Sequence, residues 1–141
     1  MFGIVEEKID IESVIADVSS PKAGAISTFI GVTRNFTGSF QVDYLFYEAY
    51  HSMALRLMER IGKQAKEKFD IEKVAIVHRI GKVKIEEASV VIAISASHRG
   101  EAIHACHYAI DTLKEIVPIW KKEFMTDGEQ KWIGNRLSEN G

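Results

Sequence analysis

Apolar residues recur with a helical period in three stretches of the chain and cluster or alternate with a strand-like period in most of the rest. Tyr50, Met53, Ala54, Leu57, Met58, Ile61 and Ala65 stand at i, i+3, i+4 and i+7 spacing, which predicts an amphipathic helix over 51–69 with a charged, solvated outer face. A second long helix starts near Gly100, with Ile103, Cys106, Ile110, Leu113 and Val117 as its inner stripe. Pro118 must end it, because the residue before a proline is pushed out of helical angles. A shorter helix carries Ile11, Val14, Ile15 and Val18 behind Asp10, whose carboxylate suits an N-cap, and stops at Ser19-Ser20-Pro21.

The remaining segments read as strands. Residues 2–8 form a short one, and residues 23–32 a buried one that opens into the polar loop Thr33-Arg34-Asn35-Phe36-Thr37-Gly38. Residues 41–48 are expected to pair with 23–32 as a hairpin. The β-branched stretches 74–80 and 89–97 are joined through Gly81 and a charged segment, and 119–124 and 131–133 flank a turn at Thr126-Asp127-Gly128. This order predicts an α+β fold: a single domain over 1–141, with a largely antiparallel sheet packed against helices and 134–141 as a flexible tail.

Composition narrows the function classes. At 141 residues, 46% hydrophobic and 27% charged, the chain suits one folded domain. Lys plus Arg is 18 against 20 for Asp plus Glu, so there is no global field for gripping nucleic acid. The longest apolar run is Val90-Val91-Ile92-Ala93-Ile94, far short of the roughly 20 residues that span a bilayer. The N-terminus turns acidic at Glu6-Glu7, unlike a secretory signal, and the expected location is cytoplasmic. Cys106 is the only cysteine, which excludes an internal disulfide and multi-cysteine metal patterns and fits a reducing compartment. No repeat, low-complexity tract or linker divides the chain.

The fingerprints of nucleotide, zinc-protease, serine-hydrolase and dithiol chemistry are absent, and Ser19-Ser20-Pro21-Lys22 matches SxxK only across a helix end. The placement of cations is more informative. Ser95-Ala96-Ser97-His98-Arg99-Gly100 lies between a strand and a helix, where unpaired N–H groups and the helix dipole attract an anion that His98 and Arg99 would reinforce. The plainer alternative pairs Arg99 with Glu101 and leaves His98 capping the turn. Arg34 leaves a strand into a loop from which a guanidinium can clamp phosphate or carboxylate, unless it is simply solvated. Lys114 and Lys121 stand on either side of the Pro118 break beside Trp120. If the chain turns back there, two partly desolvated amines share one space and lower each other's pKa, as a lysine that exchanges protons requires. The alternative is a solvated pair at a helix C-terminus. His104, His107 and Asp111 share a helix face without a fourth ligand, which reads as a polar stripe rather than a metal site, and no cofactor is implied. His78-Arg79 reads as a structural strand end, and Cys106 as an inert core thiol.

Taken together, several segments resemble the family of large, catalytic subunits of molybdopterin synthase. They are Thr28-Phe29-Ile30-Gly31-Val32-Thr33-Arg34-Asn35, Tyr47-Glu48-Ala49-Tyr50 with Met53-Ala54, Val77-His78-Arg79-Ile80-Gly81, Ser95-Ala96-Ser97-His98-Arg99, and the run from Asp111 to Glu123. They follow the family order from about residue 2 to residue 133. The resemblance implies an α/β-hammerhead-like fold and a reaction: a pterin with a cyclic phosphate, precursor Z, receives two sulfur atoms and becomes molybdopterin. It implies sulfur delivery by a small ubiquitin-like subunit whose C-terminal glycine carries a thiocarboxylate, and a central homodimer of large subunits with one small subunit at each end. Arg34, His98 and Arg99 then match the family's substrate-anion contacts, and Lys114 and Lys121 its two important lysines. Thr33 and Gly100-Glu101 depart from the family's usual residues, and Glu101 places a carboxylate near Arg99. The competing class is a non-catalytic anion-binding or scaffold subunit, which accounts for the arginines and His98 but gives no reason for the lysine pair.

Overall fold

The computed structural model describes residues 1–133; the tail expected over 134–141 lies outside the described residues. In chain order the elements are β1 (Phe2–Val5), α1 (Ile11–Asp17), β2 (Ala25–Val32), β3 (Phe36–Thr37), β4 (Phe40–Ala49), α2 (His51–Lys68), β5 (Lys73–Arg79), β6 (Gly81–Lys84), β7 (Ala88–Ala96), α3 (Arg99–Ile116), β8 (Ile119–Met125) and β9 (Gln130–Ile133). The helices fall where periodicity and punctuation place them. Asp10 caps α1 by accepting from the Ser13 backbone N–H at 3.2 Å and from its hydroxyl at 2.7 Å, and Val117 ends α3 one residue before Pro118.

The strands form two sheets rather than the one expected. The first runs β1-β5-β7-β2, antiparallel except for β1 on β5; the second runs β3-β4-β8-β9, with β6 also on β4. β7 is central and buried on both faces, which is why its sequence is continuously apolar rather than alternating. Helices α2 and α3 cover one face through Met58, Ile61, Ala105, Ala109 and Leu113, and α1 covers the other through Val14 and Val18. Val42, Leu45 and Met125 form a smaller core under the second sheet. Among the described residues no helix is long and apolar enough to cross a membrane.

The expected hairpin between 23–32 and 41–48 does not form. β2 pairs with β7, and its register slips between Gly31 and Val32, where the chain leaves the first sheet. Buried Thr33 then fastens the crossing: its N–H and hydroxyl both donate to the Glu87 carbonyl, and its own carbonyl accepts from Glu86 N–H at 2.7 Å. β4 therefore pairs with β8, with β6 and with the two-residue β3. β6 was not expected. It is short and partly charged, and it is set up by Gly81, whose φ of 84°, open at little cost only to glycine, turns the chain from β5 onto β4.

β2 is also not buried as expected. It is an edge strand whose outer residues Ile26, Ile30 and Val32 are exposed, because the seven-residue α1 packs on β5 and β7 and does not reach it. Three residues assigned to inner helical stripes face outward: Tyr50, Met53 and Ile103 are exposed, while the small residues Ala54, Ala102, Ala105 and Ala109 make the close contacts.

Candidate active site

The two sheets and the C-terminal end of α3 meet around a cavity of about 340 Å³, within the size range of small-molecule sites. Its apolar walls come from Phe29 and Ile30 on β2, Leu45 on β4, Val90 on β7, and Ile110 and Leu113 on α3. The break at Pro118 shapes its charged side. β8 begins at Ile119, immediately after the helix, so the chain reverses and brings Lys121 back beside Lys114. Arg34 enters from the crossing loop, its guanidinium 5.0 Å over the Phe36 ring. Trp120 lines the same space and meets Tyr50 edge-on with centroids 5.5 Å apart.

Both lysines are half-buried, and burial is the main cause that pushes their pKa values below the ordinary lysine range. For Lys121 the neighbouring positive charges of Lys114 and Arg34 push the same way, while Glu123 opposes them; for Lys114 the opposing charge is Asp111. The sequence reasoning that two amines would share a desolvated space across Pro118 thus matches the geometry. Glu123 lies two residues beyond Lys121 and on the same face of β8. It is 3% exposed, its Oε2 accepts from the Thr37 hydroxyl at 2.6 Å, and its Oε1 has no hydrogen-bond partner among the described residues.

His78, at the end of β5, contributes a further wall. Its ring meets the Tyr47 ring edge-on at 5.1 Å, and its Nδ1 lies 2.7 Å from the Arg79 carbonyl. Burial pushes its pKa down to about 4, with the charges of Lys114 and Lys121 adding to the effect against the backbone bond, so the imidazole is neutral at physiological pH. Tyr47 bonds to Ser89, and burial raises its phenol pKa.

The structure does not bring His98 and Arg99 to this cavity. They stand at the other end of α3, roughly 22 Å from Lys114 at the helical rise per residue, and the two proposed groups of cations do not converge within one chain. His98 caps α3 without a side-chain bond, and Glu101 accepts from Asp70 N–H at 3.5 Å rather than pairing with Arg99. His107 and Asp111 form an exposed pair at 3.1 Å, and among the described residues no cluster of three or more ligands could hold a metal. Cys106 is buried, and burial raises its thiol pKa, as expected of an inert core sulfur. Sequence reasoning gave no role to Glu123, Tyr47 or Ser89 and read His78 as structural. The alternation of β8 was the available signal for Glu123, since whatever faces a site at Lys121 is repeated two residues on.

Three converging cations, a neutral imidazole and a buried carboxylate, set in apolar walls on an α+β scaffold, define an enzyme subunit that handles a small anionic substrate. Residues 4–116 match the family model described as MoaE protein. The chain is 48% identical over 136 residues to a Halalkalibacterium halodurans protein named molybdopterin synthase catalytic subunit, covering 96% of this chain and 86% of that one. Its fold matches the crystal structure of molybdopterin synthase from Staphylococcus aureus with a TM-score of 0.90 at 42% identity, over 94% of this chain and 96% of that one. A Helicobacter pylori complex of subunits 1 and 2 of molybdopterin-converting factor shares the fold alone, with a TM-score of 0.76 at 19% identity over 96% and 90%. The chain belongs to the MoaE family of molybdopterin synthase catalytic subunits.

Proposed function

We propose that this chain is the sulfur-transferring subunit that converts a cyclic pyranopterin monophosphate, precursor Z, into molybdopterin. The observation that carries this reading is the convergence of Lys114 and Lys121 from opposite sides of Pro118 in one half-buried cavity. An anion-binding scaffold needs cations but has no use for amines with depressed pKa values; a reaction that opens a cyclic phosphate and expels oxygen does. Arg34 holds the substrate's negative charge, and the two lysines supply protons to the departing oxygens or steady the incoming thiocarboxylate.

The sulfur comes from outside the chain, because the one thiol is buried and raised in pKa. Its donor is a small ubiquitin-like partner whose C-terminal thiocarboxylate enters the cavity. The Helicobacter pylori structure of two subunits supports such an assembly. We place the reaction in the cytoplasm, where a free thiol persists.

A homodimer gives His98 and Arg99 a role. Among the described residues β2 has an unpaired edge and exposed apolar side chains, a combination that invites strand pairing. Two β2 strands related by a two-fold axis would run antiparallel, setting the partner's Ile26 end, with His98 and Arg99 close by, against the Val32 end and Arg34. In this arrangement the anion site is completed across the interface.

The test is reconstitution: the chain is incubated with precursor Z, with and without the thiocarboxylated small subunit, and the dithiolene product is sought. Product only in the complete mixture supports the reading. Binding of the pterin without product in the complete mixture favours the scaffold alternative.

A further inference from the structure

The cavity's cations account for an anion, yet one of its groups is built to receive a donor. The Arg79 carbonyl can only accept, so the 2.7 Å contact places the ring proton of His78 on Nδ1 and leaves Nε2 as a lone pair. The edge-on contact with Tyr47 fixes the plane of the ring. His78 is 5% exposed and lines the cavity, and among the described residues no protein donor reaches Nε2. The neighbouring ammonium groups of Lys114 and Lys121 disfavour a third positive charge, so the ring stays an acceptor. A cyclic phosphodiester or an ionised carboxylate brings only acceptors and would leave this position unmatched. A ligand that satisfies both the cations and the imidazole carries an anionic group and an N–H edge, the latter as on the amino-pyrimidinone ring of a pterin.

We propose that His78 is a substrate-reading residue, whose Nε2 accepts a hydrogen bond from a ring N–H or the amino group of the pterin heterocycle. The inference rests on the pterin reading given above and adds a specificity determinant to it. Nothing in it requires His78 to exchange a proton.

The experiment is calorimetric binding of precursor Z and, separately, of inorganic sulfate, which carries no donor, to the full chain and to two variants. His78→Phe keeps a ring against Tyr47 and removes the acceptor; His78→Gln keeps an acceptor oxygen. A lost partner that strands a buried donor lowers affinity roughly 5- to 100-fold. The Phe variant should show that loss for precursor Z and none for sulfate, with the Gln variant recovering part of it. With the thiocarboxylated partner present, the Phe variant should show a raised KM rather than a lowered kcat. Precursor Z affinity within twofold of wild type in the Phe variant overturns the inference, and so does an equal loss for both ligands, which would mark a structural role. If wild type binds precursor Z no better than sulfate, the pterin reading itself falls before any variant is compared.

Discussion

Acid should destabilise this fold first through His78, and by a predictable amount. The imidazole has its ordinary pKa of 6.5 when the chain is unfolded and is pushed down to about 4 when buried between Tyr47 and the two lysines. Between those values the unfolded chain takes up a proton that the folded one refuses, so stability falls as the pH falls through the window. At 1.36 kcal/mol per pH unit of difference, the loss attributable to His78 is about 2 kcal/mol at pH 5 and about 3 kcal/mol near pH 4, relative to neutral pH. Glu87, whose carboxyl is held down to about 2 chiefly by the Lys84 N–H, loses its contribution lower, below its ordinary 4.5. The depressed lysines are protonated on both sides of folding throughout the acid range, so they change nothing there. Urea unfolding of wild type and His78→Phe at about pH 7.5 and pH 5 isolates the effect, since all other groups are common to both. The wild type should lose about 2 kcal/mol more than the variant between the two pH values. Parallel losses would refute the burial of a neutral imidazole.

Other outcomes follow from the same geometry. Lys114→Ala and Lys121→Ala should each lower sulfur transfer by roughly 10²–10⁴-fold with little change in melting temperature, since neither side chain belongs to the apolar core. Wild-type turnover in both folded variants would remove the lysines from the mechanism. Arg34→Ala should weaken precursor Z binding by about 1.5 kcal/mol or more in calorimetry while leaving stability nearly unchanged, because its side chain is largely exposed. Asp10→Ala should lower the midpoint of thermal or urea unfolding through loss of the α1 cap, with activity retained.

Much of the fold was legible in the chain because local rules and tertiary packing agree there. Asp10, Pro118 and the spacing from Ala54 to Ala65 mark helix ends and faces that no long-range contact overrides. The partnering of strands was less legible. Residues 25–32 and 40–49 look like neighbours by proximity, but the anchoring of Thr33 to the β6–β7 turn decides that they belong to different sheets, and that anchor spans more than fifty residues of sequence. The lysine pair could be read because a proline forces a reversal between its members. His98 and Arg99 were joined to them through the strand-to-helix anion site and the family resemblance, and the length of α3 keeps them apart within one chain. Glu123 drew no role and His78 was read as structural, because each is ordinary in sequence and acquires its meaning from burial.

The proposed route takes sulfur from a partner's thiocarboxylate to a pterin held in this cavity, without using the chain's own thiol. It is tested most directly by charging the small subunit with heavy-isotope sulfur and weighing the dithiolene product made by wild type and by Cys106→Ala. Both proteins should yield product in which both sulfur atoms carry the label. Unlabelled sulfur in the product, or loss of activity in a well-folded Cys106→Ala variant, would contradict the account and point to a persulfide on Cys106.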